Sequence, residues 1–465
     1  MNKTNHIAFD LGASSGRMIL GEYYNKSLNL KEVYRFVNTP VEMNGILYWD
    51  FPKLYQEIKN GMKILAKENV QVDSLSVDTW GVDFAYLDKN GDLLLLPRNY
   101  RNEEKKKYEN EIYKKISRKE LFEETGVYPT TINSIVQIYA DLQRYPWLKE
   151  VAQTILFMPD LFNYFLSKER VTNYSIASTS ALLSKNQKWS KKIIETLNFP
   201  EKWFNQEIVN ISILGEITSS EIQHECYEHT KVISGAAHDT AASILTVQNN
   251  AVFLSCGTWS IMGIKISEPI INDKAYELEL TNEGTVDGYI KLLKNINGLW
   301  ILQELQRYWA ENGSMYSYEK LITKAQASTF NEMIDVEKSK FVNKCNMYQT
   351  IRDDFIERGL TPPEKVGDFV RVVINSLAEK YNEVICKLEE LTQQQFEIIH
   401  MVGGGIQNEL LCEFTAKKTK RSIITGPVEA SAFGNVLSQL IALKLIESSE
   451  IKSIISNSIE LKYFD

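Results

Sequence analysis

Two stretches of the chain share one design: an apolar strand, a loop of small residues and a second apolar strand. The first, HIAFDLGASSGRMILGEYYN, occupies residues 6–25, and the second, AVFLSCGTWSIMGIKI, occupies residues 251–266. Because glycine removes the Cβ obstruction, such a loop can bring several backbone N–H groups onto one phosphate. The recurrence predicts two similarly built domains, each presenting a phosphate-type loop.

Neither loop fits the two common phosphate-binding patterns, in which the loop opens a helix. The Walker A pattern needs a lysine before Ser or Thr, and the dinucleotide fingerprint needs G-x-G-x-x-G. Residues 18–24 instead include β-branched and aromatic types and lead into the turn pair Asn25-Lys26, which predicts a second strand. Two strand–loop–strand units therefore favour a phosphate clamp, and a pair of ordinary tight hairpins is the alternative.

The length of 465 residues also favours two domains over a single core. We place the boundary near residue 248, where Gln248-Asn249-Asn250 breaks a helix, giving domains of residues 1–248 and 249–465. The first domain opens with strands, and DKNGD at residues 88–92 predicts a hairpin. The second domain ends in an alternating pattern typical of an α/β fold. The strands expected first are 6–11, 16–24 and about 28–37, and the helices expected last are 364–393, 408–419 and 429–445.

Composition and charge exclude several functional classes. The net charge of −8 argues against a nucleic-acid-binding surface as the main function. The five cysteines form no C-x-x-C pair, which favours reduced thiols and a cytoplasmic location. No signal-like segment and no apolar stretch of about 20 residues is present, so no membrane association is expected. The five histidines show no zinc-ligand spacing.

The first loop carries further groups that suit a nucleotide. Ser14 and Ser15 add hydroxyl donors, and Arg17 adds a fixed positive charge. Asp10, at the end of the first strand, is placed to hold Mg²⁺ through water. In the second loop, Thr258 is the best side-chain donor.

The segment GAAHDTAAS places Asp239 where a strand ends and a helix begins. A carboxylate at this position is held ionised by the helix dipole, as a kinase base must be to accept a proton from a hydroxyl. The alternative is that Asp239 is only the N-cap of its helix, which this segment alone favours.

The segment SVDTWGVDF brings an aromatic residue, Trp80, together with Gly81 and two acidic residues at the end of a buried strand. This combination suits a sugar, which has an apolar C–H face and directional hydroxyls. A core tryptophan beside a turn glycine explains the segment equally well. The triple glycine of MVGGGIQNELL, residues 403–405, could let a base or ribose approach the backbone but is weak evidence alone.

Taken together, these motifs resemble the FGGY family of carbohydrate kinases, which are built on the actin/Hsp70/hexokinase-type ATPase fold. DLGASSGR, SVDTWGVDF, HDTA, SCGTWS, NINGLWILQE, GGGIQNELL and GPVEASAFGN occur in this order between residue 7 and about residue 440. The resemblance implies an α/β protein with two ribonuclease-H-like domains flanking a central cleft. It also implies ATP and Mg²⁺ as cofactors and a ketose as the second substrate, phosphorylated at its 1-hydroxyl. The ketose that the pattern favours is L-rhamnulose.

The resemblance also assigns roles to residues of this chain. It implies that Asp239 is the general base and that Asp10 serves the metal. The residues implied to contact ATP are Ala13, Ser14, Ser15, Gly16, Arg17, Thr258, Gln303 and Gly404. Those implied to contact the sugar are Gly81, His238, Asp239, Thr240 and Asn295.

Two positions depart from the family pattern. Asn102 stands near PRNYRN where such kinases commonly carry an aspartate, which leaves the sugar preference open. Cys256 replaces a serine in the second loop. A kinase for L-fuculose, xylulose or glycerol and an actin/Hsp70-type nucleotide switch remain as alternatives; TWGVDF and AHDTA argue against the switch, which needs no sugar pocket.

Overall fold

The computed structural model of the protein describes residues 3–342 and 345–465, along which strands and helices alternate. The strands are β1 (Thr4–Leu11), β2 (Ser15–Tyr24), β3 (Ser27–Val37), β4 (Val41–Met43), β5 (Ile46–Tyr48), β6 (Ser74–Thr79), β7 (Phe84–Leu87), β8 (Thr154–Phe157), β9 (Val171–Asn173), β10 (Glu207–Val209), β11 (Ser212–Glu216), β12 (Lys231–Ser234), β13 (Val252–Cys256), β14 (Trp259–Ile266), β15 (Thr281–Gly284), β16 (Ile290–Asn297), β17 (Ile398–Val402), β18 (Ser422–Thr425) and β19 (Lys462–Phe464).

The helices follow the same chain order, and short 3₁₀ turns connect some of them. They are α1 (Phe51–Lys67), α2 (Lys106–Lys115), α3 (Arg118–Thr125), α4 (Ser134–Arg144), α5 (Leu148–Val151), α6 (Met158–Ser167), α7 (Tyr174–Ala177), α8 (Lys191–Thr196), α9 (Asp239–Leu245), α10 (Asp273–Glu277), α11 (Trp300–Glu311), α12 (Tyr318–Gln326), α13 (Ser339–Val342), α14 (Met347–Glu357), α15 (Val366–Thr392), α16 (Glu409–Thr419), α17 (Ala430–Ala442) and α18 (Ile451–Ser458). In the described part of the chain, no helix has the length and apolar character needed to cross a membrane.

The chain divides into two compact units, and the division is not a single cut. The first unit comprises Met1–Thr246, Ile266–Leu292 and Ala430–Ile459, and the second comprises Val247–Lys265, Leu293–Glu429 and Glu460–Asp465. The expected boundary near residue 248 lies beside the first of these breaks. Ile266–Leu292 and Ala430–Ile459 were expected in the second domain but belong to the first unit. The periodicity of a sequence does not reveal which sheet a strand or helix joins.

The main sheet of the first unit has the strand order β11-β12-β6-β1-β2-β3. Strand β1 is antiparallel to β2 and parallel to β6, and β6 is parallel to β12. The opening meander of β1, β2 and β3 confirms the three strands expected from the sequence. If β6 and β12 are counted as the fourth and fifth strands of this sheet, the order is 3-2-1-4-5 with an antiparallel second strand, which is that of a ribonuclease-H-like domain.

The second unit repeats this arrangement. Its strands follow the order β16-β14-β13-β17-β18-β19, with β13 antiparallel to β14 and parallel to β17. Strand β18 continues the parallel part beside β17. The recurrence of two strand–loop–strand stretches in the sequence therefore corresponds to two equivalent hairpins, β1–β2 and β13–β14.

The hairpin predicted at DKNGD forms but is short. Asp88 N donates to Asp92 O at 2.9 Å, Leu94 N donates to Tyr86 O at 3.0 Å, and Leu87 forms an antiparallel bridge with Leu93. Strand β7 also pairs with β8, about 70 residues further along the chain, and this is the longer ladder. A turn signal predicts the local reversal of the chain but not the pairing with a distant strand.

Candidate functional site

The loop between β1 and β2 is held in place by hydrogen bonds from Asn38, and part of it is exposed. Asn38 donates its backbone N–H to Ser14 O at 3.0 Å and its side-chain amide to Gly12 O at 2.8 Å. A Cβ at Gly16 would lie 2.2 Å from the ring of Phe36. Gly16 is therefore required by packing, while the exposed Ser14 and its neighbours present the accessible backbone.

Asp10 and Arg17 face each other across the hairpin. They occupy paired positions of β1 and β2, and Arg17 donates to Asp10 Oδ2. The Ser431 hydroxyl of α17 donates to the same oxygen at 2.6 Å. In the ligand-free protein, Arg17 and Asp10 therefore neutralise each other. The first is expected to bind phosphate and the second to bind the metal.

Asp78 lies beside Asp10, at the equivalent position of the neighbouring parallel strand. Its Oδ2 accepts a hydrogen bond of 2.6 Å from the Asn435 side chain of α17, and its Oδ1 has no hydrogen-bond partner among the described residues. Complete burial, followed by the charge of Asp10, holds the pKa of Asp78 well above its ordinary value. The sequence offered one signal for this pair, since both aspartates end buried strands.

The donor set around Asp10 fits Mg²⁺. Mg²⁺ prefers oxygen ligands, keeps several waters and is typically held by one or two carboxylates together with substrate phosphates. Asp10 supplies such a carboxylate, and Asp78 brings a second one beside it. Across residues 3–342 and 345–465, no group of three or more His, Cys, Asp or Glu side chains is placed to hold a metal ion.

Asp239 is the first residue of α9 and not its N-cap. The N-cap is His238, whose side chain makes no capping hydrogen bond. The backbone N–H of Thr240 donates to Asp239 Oδ1 at 2.6 Å, and the Thr240 hydroxyl donates to the same oxygen at 3.2 Å. The carboxylate is therefore oriented through one oxygen, and the capping role considered for it from the sequence is wrong.

The surroundings of Asp239 raise its pKa towards neutral pH, where the group can accept a proton. Burial, followed by the nearby negative charge of Asp10, raises the pKa of Asp239 to about 6, and the hydrogen bonds from Thr240 oppose the shift. The side chain is about one third exposed (34%), so a ligand can reach it. A carboxylate with these properties can act as a general base.

Gly81 and His238 meet where β6 ends. Thr79 forms a bridge with His238, and a Cβ at Gly81 would lie 3.3 Å from His238 Nε2. The absence of a side chain at residue 81 therefore leaves the imidazole in place beside Asp239, 3.3 Å away through Nε2 and Oδ1. The structure brings together four of the five residues expected to contact the sugar: Gly81, His238, Asp239 and Thr240.

Trp80, considered above as a sugar-stacking face, is buried. Its ring packs on Trp49 at a centroid distance of 4.0 Å, and both indole N–H groups donate to Asp83 Oδ2. Gln137 donates to the other oxygen of Asp83 at 2.9 Å. The alternative interpretation, a core tryptophan next to a turn glycine, is the one the structure supports.

Asn102, the departure from the family pattern, has a structural function. Its amide donates to Leu47 O at 2.8 Å and to Asn99 O at 3.0 Å, and its oxygen accepts from Leu47 N at 2.8 Å. Both donors are thus used by the backbone. Asn102 joins β5 to the segment that follows β7 and offers no free N–H to a sugar hydroxyl.

In the second unit, the β13–β14 hairpin is held by the start of α11. Leu299 N donates to Gly257 O at 3.0 Å, and Trp300 N donates to Thr258 O at 3.1 Å. This contact places Gln303, one turn into α11, beside the loop, where the Thr258 hydroxyl donates to its side-chain oxygen at 3.3 Å. Two of the expected ATP-contacting residues are therefore neighbours.

The three consecutive glycines after β17 have different functions. Gly403 has a φ of +85°, and a Cβ on it would lie 2.9 Å from Cys256 O; a Cβ on Gly405 would lie 2.5 Å from the Cys256 Cβ. These two glycines allow the turn to pack on the hairpin. At Gly404, no atom of the described residues lies within 4 Å of the Cβ position. It is the position of the three that a ligand can approach.

Asn295 is an exposed residue of β16 in the second unit. Its neighbour Asn297 is buried and donates to Phe341 O at 2.9 Å and Val336 O at 3.2 Å. Of the two asparagines in this stretch, Asn295 is thus the one with a side chain available to a substrate.

The chain is similar to known proteins over nearly its whole length. The model described as the N-terminal domain of the FGGY family of carbohydrate kinases matches residues 6–246, and that of the C-terminal domain matches residues 252–443. A rhamnulokinase of Bacteroides thetaiotaomicron is 36% identical and covers 99% of this chain and 96% of its own length. A rhamnulokinase of Halalkalibacterium halodurans is 34% identical, with 98% of each covered.

Solved structures show the same fold at much lower identity. A gluconate kinase from Lactobacillus acidophilus superposes with a TM-score of 0.80 at 14% identity and covers 100% of this chain and 94% of its own. Plasmodium falciparum glycerol kinase with ADP gives a TM-score of 0.80 at 16% identity, covering 98% and 93%. The likeness confirms the expected α/β fold of the actin/hexokinase type.

Proposed function

Because the chain belongs to the FGGY family of carbohydrate kinases, we propose that it transfers the γ-phosphoryl group of ATP to the 1-hydroxyl of L-rhamnulose. The proposed chemistry is supported mainly by the Asp239 carboxylate. Thr240 holds it through one oxygen, and its pKa is raised to about 6. The substrate is supported by the names of the full-length relatives, which are at least 31% identical.

In the proposed reaction Asp239 accepts the proton of the 1-hydroxyl as that oxygen attacks the γ-phosphorus. The bond from the γ-phosphorus to the bridging oxygen breaks, and ADP leaves with the electron pair. Gly81, His238 and Thr240 surround the carboxylate and position the sugar. Asn295 is the fifth residue that we assign to sugar binding.

The nucleotide contacts that we propose are assigned to donors of each hairpin. Residues 13–17 supply backbone N–H groups, two hydroxyls and the guanidinium of Arg17, which suit phosphate oxygens. Thr258, Gln303 and Gly404 of the second unit take the remaining contacts. When bound near Asp10, Mg²⁺ supplies charge neutralisation of the phosphates. Since Arg17 pairs with Asp10 in the ligand-free protein, nucleotide binding must exchange this ion pair for phosphate contacts.

The substrate assignment is tested by ADP release coupled to NADH oxidation, with ATP and Mg²⁺ and each of L-rhamnulose, L-fuculose, L-xylulose, D-xylulose and glycerol. We expect the highest kcat/KM with L-rhamnulose. A higher kcat/KM with another of these substrates would contradict L-rhamnulose as the substrate. It would leave the proposed base and metal site unchanged. ADP release that does not depend on any sugar would favour the nucleotide-switch alternative.

The activity is expected to fall in acid with an apparent pKa near that of the base. Asp239 works only when deprotonated, and its pKa is about 6. Log kcat/KM for the ketose should therefore rise with unit slope below about pH 6 and level off above it. Far-UV circular dichroism at each pH serves as the control for folding. A profile that stays level down to pH 5 would contradict the role of Asp239.

Two glycine substitutions should distinguish the binding of the sugar from the binding of the nucleotide. In Gly81→Ala the new Cβ would lie 3.3 Å from His238 Nε2, so the imidazole must shift. We expect the KM for the ketose to rise about tenfold, as misplacement by a few tenths of an ångström implies, with little change for ATP. Gly404→Ala is the matched variant and should raise the KM for ATP alone. Equal effects of either variant on both substrates would contradict the assignment.

A further inference from the structure

A lysine is completely buried next to the proposed base. Lys291 of β16 has a side chain with 0% exposure, and its Nζ lies 3.1 Å from Glu283 Oε2 and 3.3 Å from His238 Nδ1. A buried ammonium is stable only when it is paired and hydrogen-bonded. Glu283 supplies the opposite charge, and the imidazole nitrogen supplies the hydrogen-bond acceptor.

The contact with Lys291 determines which nitrogen of His238 carries the proton. A lysine ammonium has donors and no acceptor, so Nδ1 must present its lone pair to Nζ. Burial, followed by the charge of Lys291, holds the pKa of His238 well below its ordinary value, so the ring is neutral. A neutral imidazole whose Nδ1 is an acceptor has its proton on Nε2.

The protonated Nε2 lies beside the base. It is 3.3 Å from Asp239 Oδ1, the oxygen that also accepts both hydrogen bonds from Thr240. In the described part of the chain, no hydrogen bond reaches Oδ2 of Asp239. Both hydrogen bonds from Thr240 and the nearby Nε2 of His238 therefore lie at one carboxylate oxygen, and the other keeps its lone pairs for an incoming proton.

We propose that Lys291 is a positioning residue of the phosphoryl transfer: it fixes the Nε2–H tautomer of His238, which turns Asp239 so that Oδ2 accepts the proton of the ketose hydroxyl. The inference rests on the proposed function for the reaction it serves. The tautomer itself is a property of the ligand-free protein and is measured without substrate.

Glu283 explains why a lysine is needed at this position. Its Oε2 lies 3.7 Å from His238 Nδ1, and the other charged groups that face the ring are Lys291 and Asp239. If Lys291 loses its charge, Glu283 becomes the nearest partner of Nδ1 and attracts a proton there. The ring then changes tautomer or becomes doubly protonated, and its contact with Asp239 through Nε2 changes with it.

The first test is ¹⁵N NMR of the ligand-free protein with ¹⁵N-labelled histidine. The chain has five histidines, so the spectrum is small, and His238→Gln identifies the signal by its loss. At pH 7 we expect the Nε2–H tautomer in the wild type. In Lys291→Met we expect the Nδ1–H or the doubly protonated form. An Nδ1–H tautomer in the wild type, or the same tautomer in both proteins, would overturn the proposal.

The second test is kinetic. Lys291→Met should lower kcat about tenfold to a hundredfold, as loss of a partner that orients a functional histidine does in metal sites, with an unchanged KM for ATP. Lys291→Arg, which also has donors only, should recover part of the loss. Lys380→Met removes another largely buried lysine, paired with Glu337 at 2.5 Å, and should keep the wild-type kcat. A kcat for Lys291→Met within twofold of the wild type would contradict the proposal.

The two proposals can fail separately. If Lys291→Met does not fold, the wild-type tautomer and the Lys291→Arg kinetics still decide the matter. If the wild type turns over no sugar, the proposed function fails. If it turns over a sugar but His238 has the other tautomer, only the positioning inference fails.

Discussion

Replacement of Asp239 with asparagine is expected to lower kcat by about 10²–10⁴-fold, the contribution of a positioned general base. The amide keeps the shape of the side chain and can still accept from Thr240 through its oxygen, so the start of α9 should remain intact. It cannot accept the proton of a hydroxyl. The KM for ATP should change little, because the phosphate donors lie in the hairpins. Steady-state kinetics with both substrates varied measures the effect.

Asp160→Asn is the matched control. Asp160 is also an aspartate of the first unit, and burial holds its pKa well above the ordinary value. Among the residues that the structure describes, its hydrogen-bond donor is the backbone N–H of Asn173, at 3.1 and 3.2 Å. An amide oxygen replaces this acceptor, so kcat should stay at the wild-type value. If Asp239→Asn lost less than about tenfold in kcat, a small loss for a base, Asp239 would not be one.

Gly434→Ala is expected to destabilise the first unit strongly. Gly434 is where α17 crosses α9, and a Cβ on it would lie 1.8 Å from the backbone oxygen of Ala242. Backbone atoms cannot rotate away, so the helices must separate. Overpacking costs about 1–3 kcal/mol, and the better helix propensity of alanine returns about 1 kcal/mol. Because the contact is with a backbone atom, we expect a cost at the upper end of this range, which leaves a net loss of about 2 kcal/mol.

Urea unfolding followed by circular dichroism measures this loss. Gly404→Ala provides the control for stability, because no atom of the described residues lies within 4 Å of its Cβ position. Since α9 begins with Asp239, Gly434→Ala should also lower kcat in the fraction that folds. An unfolding midpoint equal to or above that of the wild type would contradict the packing described here.

The parts of the structure that follow local rules were predictable from the sequence. The two hairpins, the opening meander and the alternation that ends the chain depend on periodicity and turn residues, and they occur as expected. The order of the motifs also indicated the family. Local signals similarly located Asp239 at the junction of a loop and a helix.

Long-range contacts were not predictable in this way. The return of α17 to the first unit, where Ser431 and Asn435 donate to Asp10 and Asp78, joins residues more than 350 positions apart. Periodicity identifies such a helix but not its partner. The same limit explains why Lys291 was missed: a lysine in a strand looks like a solvated residue until its pairing with Glu283 is seen.

Buried polar residues were the second source of error. Trp80 and Asn102 have the chemistry of a sugar site, yet both are occupied by the protein itself, Trp80 by Asp83 and Asn102 by the backbone of Leu47. A sequence gives the donors and acceptors of a side chain but not whether they are already satisfied. Which of the expected site residues are available to a ligand can therefore be decided only from their contacts in the structure.

The most direct test of the central claim is the identity of the product made from L-rhamnulose, ATP and Mg²⁺. The mixture is analysed by ³¹P NMR with proton coupling. We expect one sugar phosphate whose phosphorus couples to the two protons on C1, formed in equal amount to ADP. Phosphate on another carbon, or inorganic phosphate and ADP with unchanged sugar, would contradict it.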